Sequence, residues 1–320
     1  MQMISIVVPC YNEEQTLSCL FERLDQAAQS WDMDYEVICV DDGSSDGTFE
    51  LLKRQRAVNP RWKCIALARN FGHQTAVSAG LLHCSGAAVA VLDADLQDPP
   101  EELHRFIAKW REGFEVVYAV RQKRKENVFK RLCYWAFYRL MARIVPFDLP
   151  LDSGDFCLMD RRVVAVLNSM PERQRFVRGL RAWAGFRQIG IPYERQARVA
   201  GTSKYSMTKL FKLAWDGIFS FSAMPLRLAS YIGLTVSLLS LLGIVFTLAQ
   251  RIFSTWFARV GLAPVPGFAT IVISILFLGG VQLVCLGIVG EYIGRIYDEV
   301  KRRPHWTIRK CEGLTEQTLQ

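Results

Sequence analysis

Ala88-Val89-Ala90-Val91-Leu92-Asp93-Ala94-Asp95-Leu96-Gln97-Asp98-Pro99-Pro100 is the stretch whose reading decides the fold. Its first five residues are apolar and too few for a helix, so they read as a strand covered on both faces. Two aspartates follow at once, and the proline pair then suits a helix start. The same grammar recurs around it. Ile4-Ser5-Ile6-Val7-Val8, Glu36-Val37-Ile38-Cys39-Val40 and Val116-Val117-Tyr118 read as further buried strands. Residues 13–29, 46–57, 73–82 and 100–110 carry apolar residues at helical spacing, with Asp46 as a candidate N-cap. Strand and helix alternate from residue 1 to about 120, which predicts an α/β sheet with ligands at the carboxyl ends of its strands.

Chemistry gathers at those ends. Two aspartates after a wholly apolar strand repel unless a cation or donors compensate them. Hard carboxylate oxygens at the spacing of Asp93 and Asp95 suit Mg²⁺ or Mn²⁺ shared with a diphosphate. After the first strand, Pro9-Cys10-Tyr11-Asn12-Glu13-Glu14 can set Tyr11 against a planar base. After the second, Asp41-Asp42-Gly43-Ser44-Ser45-Asp46-Gly47-Thr48 holds more acid than one helix cap needs, and Asp42 can accept from a base N–H or a ribose hydroxyl. Asp152-Ser153-Gly154-Asp155-Phe156 reads as a polar turn. Asp155 could serve there as general base or orient an acceptor. A phosphate monoester acceptor, with a second pKa of about 6, would already be a nucleophile at neutral pH. Lys204 and Arg198 flank a glycine turn, and Arg121 and Arg131 follow a strand and a basic amphipathic stretch; arginines suit bidentate phosphate binding.

The rest of the chain points to a membrane. Of 320 residues, 51% are apolar, and the mean hydropathy is +0.13, high for a soluble protein. The net charge of +8 favours anionic partners such as phosphorylated substrates or a lipid surface. Nucleic acid ranks below both, since no zinc-finger spacing or RNA-binding signature is present. Leu228–Ala249 and Phe268–Val289 each run about 22 residues without a charged side chain, long enough to cross a bilayer. Lys209, Lys212 and Arg227 precede them, and Arg295, Lys301, Arg302, Arg303, Arg309 and Lys310 follow, against Arg251 and Arg259 in the connector. The positive-inside rule then puts the catalytic domain and both termini in the cytoplasm. Residues 128–145 and 206–221 mix Trp and Phe with Lys and Arg and read as helices lying in the interface. Nine cysteines include no C-x-x-C pair, which fits a reducing compartment. No signal peptide is expected, because the chain enters a strand from Ile4.

Taken in order, Val-Pro-x-Tyr-Asn-Glu, Asp-Asp-Gly-Ser-x-Asp, Arg-Asn-Phe-Gly-His, Asp-Ala-Asp-Leu-Gln-Asp-Pro-Pro and Gly-x-Ser-Lys-Tyr span residues 4 to 206. Together with the hairpin they resemble the GT-A family 2 polyprenyl-phosphate glycosyltransferases, akin to dolichol-phosphate mannose synthase. The resemblance implies a Rossmann-like GT-A nucleotide-sugar domain over residues 1–205, an interfacial helix over 206–227, a transmembrane hairpin over 228–293 and a basic cytoplasmic tail over 294–320. It implies nucleotide contacts at Pro9, Tyr11, Asn12, Glu13 and Asp42. Metal ligation would fall to Asp93, Asp95 and Gln97, with Asp155 as candidate base. Arg121, Arg131, Arg198 and Lys204 would bind the donor and lipid phosphates. The reaction implied is inverting transfer of a hexose to undecaprenyl phosphate at the inner (plasma) membrane of a bacterium. The pattern looks closest to the bactoprenol glucosyltransferase branch with UDP-glucose, while GDP-mannose and an aminoarabinose donor stay open. A membrane-tethered scaffold is the rival from another class. A processive synthase is disfavoured, because Gln-x-x-Arg-Trp is missing. Nothing in the sequence decides between a monomer and a homo-oligomer.

Overall fold

The computed structural model describes residues 3–122, 153–173, 175–194, 224–261 and 267–314. The chain divides into two units, Met1–Ala214 with Arg303–Gln320, and Trp215–Arg302.

The first unit is a mixed sheet with helices packed on it. In chain order its elements are β1 (Met3–Cys10), α1 (Glu14–Ala28), β2 (Asp34–Asp41), α2 (Thr48–Val58), β3 (Trp62–Leu67), α3 (His73–His83) and β4 (Ala88–Val91). A single 3₁₀ turn (Pro100–Glu102) leads into α4 (Leu103–Arg111), then β5 (Val116–Gln122), β6 (Ser153–Asp160), α5 (Arg161–Ser169), α6 (Val177–Trp183), β7 (Gln188–Glu194) and β8 (Ile308–Glu312). The strand order is β7-β5-β6-β4-β1-β2-β3-β8, with β6 and β8 antiparallel to their neighbours and the other pairings parallel. Val7, Ile38 and Val91 are fully covered, as the unbroken apolar runs require. Cys10, Cys39, Cys64, Cys84 and Cys157 are buried free thiols packed as small core residues.

Three features depart from the sequence reading. The stretch around Asp155 is strand β6 rather than a turn. The run Phe156-Cys157-Leu158-Met159 is buried inside the sheet, and its polar leading residues emerge at the sheet's end. Asp46 sits one residue before the N-cap Gly47, yet it still caps α2 by accepting from the Thr48 amide at 3.1 Å. The expected tail over 294–320 is helical to Val300 and then supplies β8, whose charged Arg309, Lys310 and Glu312 suit a half-exposed edge strand.

The second unit holds α7 (Met224–Ile252), α8 (Ser254–Arg259) and α9 (Phe268–Val300). Met224–Gln250 and Phe277–Val300 are long and apolar enough to cross a membrane, with mean hydropathies of 2.3 and 1.6. Both expected spans lie within α7 and α9. The side chains of Leu234, Leu238, Leu241, Leu283 and Leu286 are exposed, so these helices are not the core of a soluble domain.

Candidate active site

The register of β4 and β6 builds the centre of the site. Val91 lies opposite Cys157 in an antiparallel pair. Continuing two residues up β4 and two back along β6 brings Asp93 level with Asp155, on the same face because side chains alternate with period two. His73, the first residue of α3, closes the gap. Its Nε2 lies 3.3 Å from Asp155 Oδ2 and 3.8 Å from Asp93 Oδ1. Gln74 donates from Nε2 to Asp155 Oδ2 at 3.2 Å and accepts the Val177 amide on Oε1 at 3.0 Å. It thereby ties α3 to the first turn of α6. From α6, Arg178 Nη2 reaches Asp155 Oδ1 at 3.3 Å.

These contacts set the charges. Burial alone would raise the Asp155 carboxyl, but Arg178, His73 and Arg181 outweigh it and hold it well below the usual carboxylate range. Burial would also lower His73, yet its hydrogen bond to Asp155 and the negative charges of Asp93 and Asp155 push it up to about 9. Asp93 moves the other way: burial raises it, as do Asp98, Asp155 and Asp95, with His73 opposing. One end of the cluster is therefore a firmly ionised carboxylate. The other is a carboxylate short of positive charge.

Asp93 Oδ1 is buried and has no hydrogen-bond partner among the described residues. Asp95 Oδ1 accepts the Gln97 amide at 3.1 Å, while Leu96 between them holds a left-handed φ of 58° with its side chain fully buried. That conformation is costly for a branched residue and fixes the turn that presents both acids. Among the described residues no three metal-type ligands cluster closely enough to enclose an ion. Two carboxylates, one with an orphaned oxygen, are a donor set that a small divalent cation would fit.

The loops expected to hold a nucleotide lie across β1 and β2 and are knitted together. The Asn12 amide donates to Ser44 Oγ at 2.9 Å, and Asn12 Oδ1 accepts the Ser45 amide at 2.9 Å. The Glu13 amide donates to Thr48 Oγ1 at 2.9 Å. Gly43 has φ +69°, and a Cβ there would come within 2.5 Å of the Arg69 carbonyl carbon, so the position demands glycine. Asp42 is committed to the neighbouring loop, accepting the Phe71 and Gly72 amides at 2.7 and 2.9 Å. Burial raises its carboxyl, partly offset by those two amides. Tyr11 is exposed, and Pro9 is buried.

Of the expected phosphate-binding residues, Arg121 lies in β5 opposite Tyr193 of β7. Arg131, Arg198 and Lys204 lie outside the described residues, as do the two stretches expected at the interface. Sequence reasoning assigned no role to His73, Gln74, Arg178 or Arg181. Arg181 is buried with its guanidinium 5.3 Å from the Tyr118 ring. For His73 the available signal was the Arg-Asn-Phe-Gly-His run that it ends, a polar helix start immediately after a loop at the carboxyl end of a strand.

A strand-end acid pair facing a second strand's carboxylate at the end of a mixed sheet, beside two knitted loops, agrees with a GT-A-like fold. Residues 5–167 match the model of glycosyl transferase family 2, and residues 224–296 match that of the GtrB C-terminal hairpin. An uncharacterized glycosyltransferase of Bacillus subtilis (strain 168) is 43% identical over 316 residues, covering 98% of this chain and 96% of its own. The SfII prophage-derived bactoprenol glucosyl transferase of Shigella flexneri is 40% identical over 309 residues, covering 96% and 97%. Among solved structures, glucosyl-3-phosphoglycerate synthase from Mycobacterium tuberculosis, in complex with Mn²⁺, UDP and glucosyl-3-phosphoglycerate, aligns at 17% identity and TM-score 0.46 over 68% of this chain and 78% of that one. The chain belongs to glycosyl transferase family 2.

Proposed function

We propose that this glycosyltransferase moves glucose from UDP-glucose to undecaprenyl phosphate at the cytoplasmic face of a bacterial membrane, with inversion at the anomeric carbon. The observation that carries the reading is the Asp93–His73–Asp155 junction at the carboxyl end of the sheet. Relatives named bactoprenol glucosyl transferase, about 40% identical along nearly the whole chain, favour glucose over mannose or aminoarabinose.

In this reading a phosphate oxygen of the acceptor attacks the anomeric carbon as the bond to the donor's β-phosphate oxygen breaks, and the uridine diphosphate leaves with that electron pair. The acceptor is already a dianion near neutral pH, so no proton need be removed. That agrees with Asp155, whose depressed pKa makes it a weak base. Its role is to hold His73 and Arg178 as oriented cations beside the two anionic substrates. Asp93 and Asp95, with Gln97 beside them, would hold Mg²⁺ or Mn²⁺, which when bound neutralises charge on the leaving diphosphate. The Tyr11–Glu13 loop and Asp42 would seat the nucleotide, and Arg121, Arg131, Arg198 and Lys204 the phosphates.

The membrane placement draws support from β8. Residues 308–312 share a sheet with β3, and on this reading the chain comes back to the same side after α7 and α9. That agrees with two crossings, and the basic flanks favour the cytoplasm for that side. The test is to incubate the purified protein with undecaprenyl phosphate, a divalent ion and a panel of nucleotide sugars. Glucosylated lipid from UDP-glucose alone is expected. Preferential transfer from another donor would overturn the sugar assignment, and lipid product from none would overturn the enzyme reading.

A further inference from the structure

β8 carries a charged side chain to the donor end of the sheet from beyond the hairpin. Its register with β3 shifts between Ala66 and Leu67, with Lys310 opposite Ala66 and Ile308 opposite Leu67. Arg309 is thus the extra residue of a β-bulge, a device that re-aims a side chain at a sheet edge. Its guanidinium lies 5.9 Å from the Phe49 ring centre, and its Nη2 is 3.9 Å from Asp41 Oδ2. Asp41 is fully buried at the end of β2. Its Oδ1 accepts the Ser44 amide at 3.0 Å, whereas Oδ2 has no hydrogen-bond partner among the described residues. A buried carboxylate of this kind is costly unless a cation stands near it. The Ser44 turn that Asp41 fastens is the one gripping Asn12 from both sides.

We propose that Arg309 is a positioning residue for the donor. The strand returning from the hairpin compensates Asp41, which fixes the Gly43–Ser45 turn and, through it, the Tyr11–Asn12 loop. This rests on the reading of those loops as the nucleotide seat. It also makes donor binding depend on a segment more than 260 residues away in sequence. The chain would then bind donor fully only after the hairpin has been made and β8 has docked.

The test uses the full-length protein in lipid nanodiscs with Arg309→Gln, Arg309→Lys, Asp41→Asn and the Asp41→Asn/Arg309→Gln pair. Asp41→Asn keeps an acceptor for Ser44 and removes the charge that needs compensation. Arg309→Gln is expected to raise the donor KM and the UDP dissociation constant roughly fivefold, a modest effect because the arginine is half exposed. Its kcat should stay within about twofold of wild type, and Arg309→Lys should restore much of the loss. In the Asp41→Asn background, Arg309→Gln should add almost nothing. Amide exchange at Ser44 and Ser45, measured without any ligand, should quicken in Arg309→Gln and not in the pair. An unchanged donor KM, or equal effects in both backgrounds, would overturn the proposal. If the wild type binds no uridine nucleotide, the functional reading fails, while unchanged exchange at Ser44 and Ser45 would separately overturn the positioning role.

Discussion

At the residue scale the chemistry turns on two carboxylates pushed in opposite directions. Asp155 is stabilised as an anion by Arg178 and His73, and Asp93 is left wanting positive charge. Asp155→Asn should therefore lower kcat by about 10²-fold through loss of oriented charge. The pH–rate profile of that variant should keep an ionisation near that of a phosphate monoester, about 6; its disappearance would make Asp155 the base after all. Asp95→Asn should weaken donor binding only when a divalent ion is present, which calorimetry with and without chelator measures. Equal donor affinity in both conditions would remove the metal site. Asp93 and Asp95 were legible because acids directly after an apolar strand have few structural uses. His73 and Arg178 were not. Arg178 has no local pattern, and His73, although it ends the Arg-Asn-Phe-Gly-His run, reaches Asp155 across 82 positions through the packing of α3 on the sheet.

Among the elements, α3 shows how closely the site depends on packing. A Cβ at Gly80 would sit 2.3 Å from Val7 Cγ1, so the helix can lie this near β1 only with glycine there. Gly80→Ala should cost about 1–3 kcal/mol of stability by overpacking and displace His73 along with its helix. Thermal unfolding and kcat would fall together. At the opposite end of the strands, Glu36 is buried in β2 and accepts from Lys63 of β3, Ser5 of β1 and the Ser85 amide before β4. Burial raises its carboxyl, but these donors outweigh it and the pKa falls below the ordinary value of about 4.5. A depressed folded pKa means stability that is complete above the unfolded value and is lost as pH drops through the folded one. Glu36→Gln should flatten the acid limb of the stability curve below about pH 4.5; an unaltered limb would show that Glu36 is not the group responsible. Strands β1, β2, β4 and β5 were readable from unbroken apolar runs. In β3, Lys63 interrupts the run to meet Glu36, β7 is broken by Gly190 and Pro192, and β8 is a charged edge strand; the pairing of both edges is decided by distant partners.

For the whole molecule, the sequence displayed the hairpin plainly, because two long uncharged runs have little other use. The return of the chain to its own sheet was hidden, since Ile308-Arg309-Lys310-Cys311-Glu312 resembles any basic tail. A C-terminal fluorescent protein fusion should fluoresce in the cytoplasm, and alkaline phosphatase inserted between residues 262 and 266 should be active outside it. The reverse pattern would contradict the basic-flank argument. The account as a whole claims that the nucleophile is a lipid phosphate rather than an alcohol activated by a base. Its most direct test is transfer from UDP-glucose, with a divalent ion, to undecaprenyl phosphate and to undecaprenol side by side, with the anomeric configuration of the product read by NMR. The account predicts a β-linked glucosyl phosphate from the phosphate and no product from the alcohol; an α-linked product, or comparable transfer to undecaprenol, would contradict it.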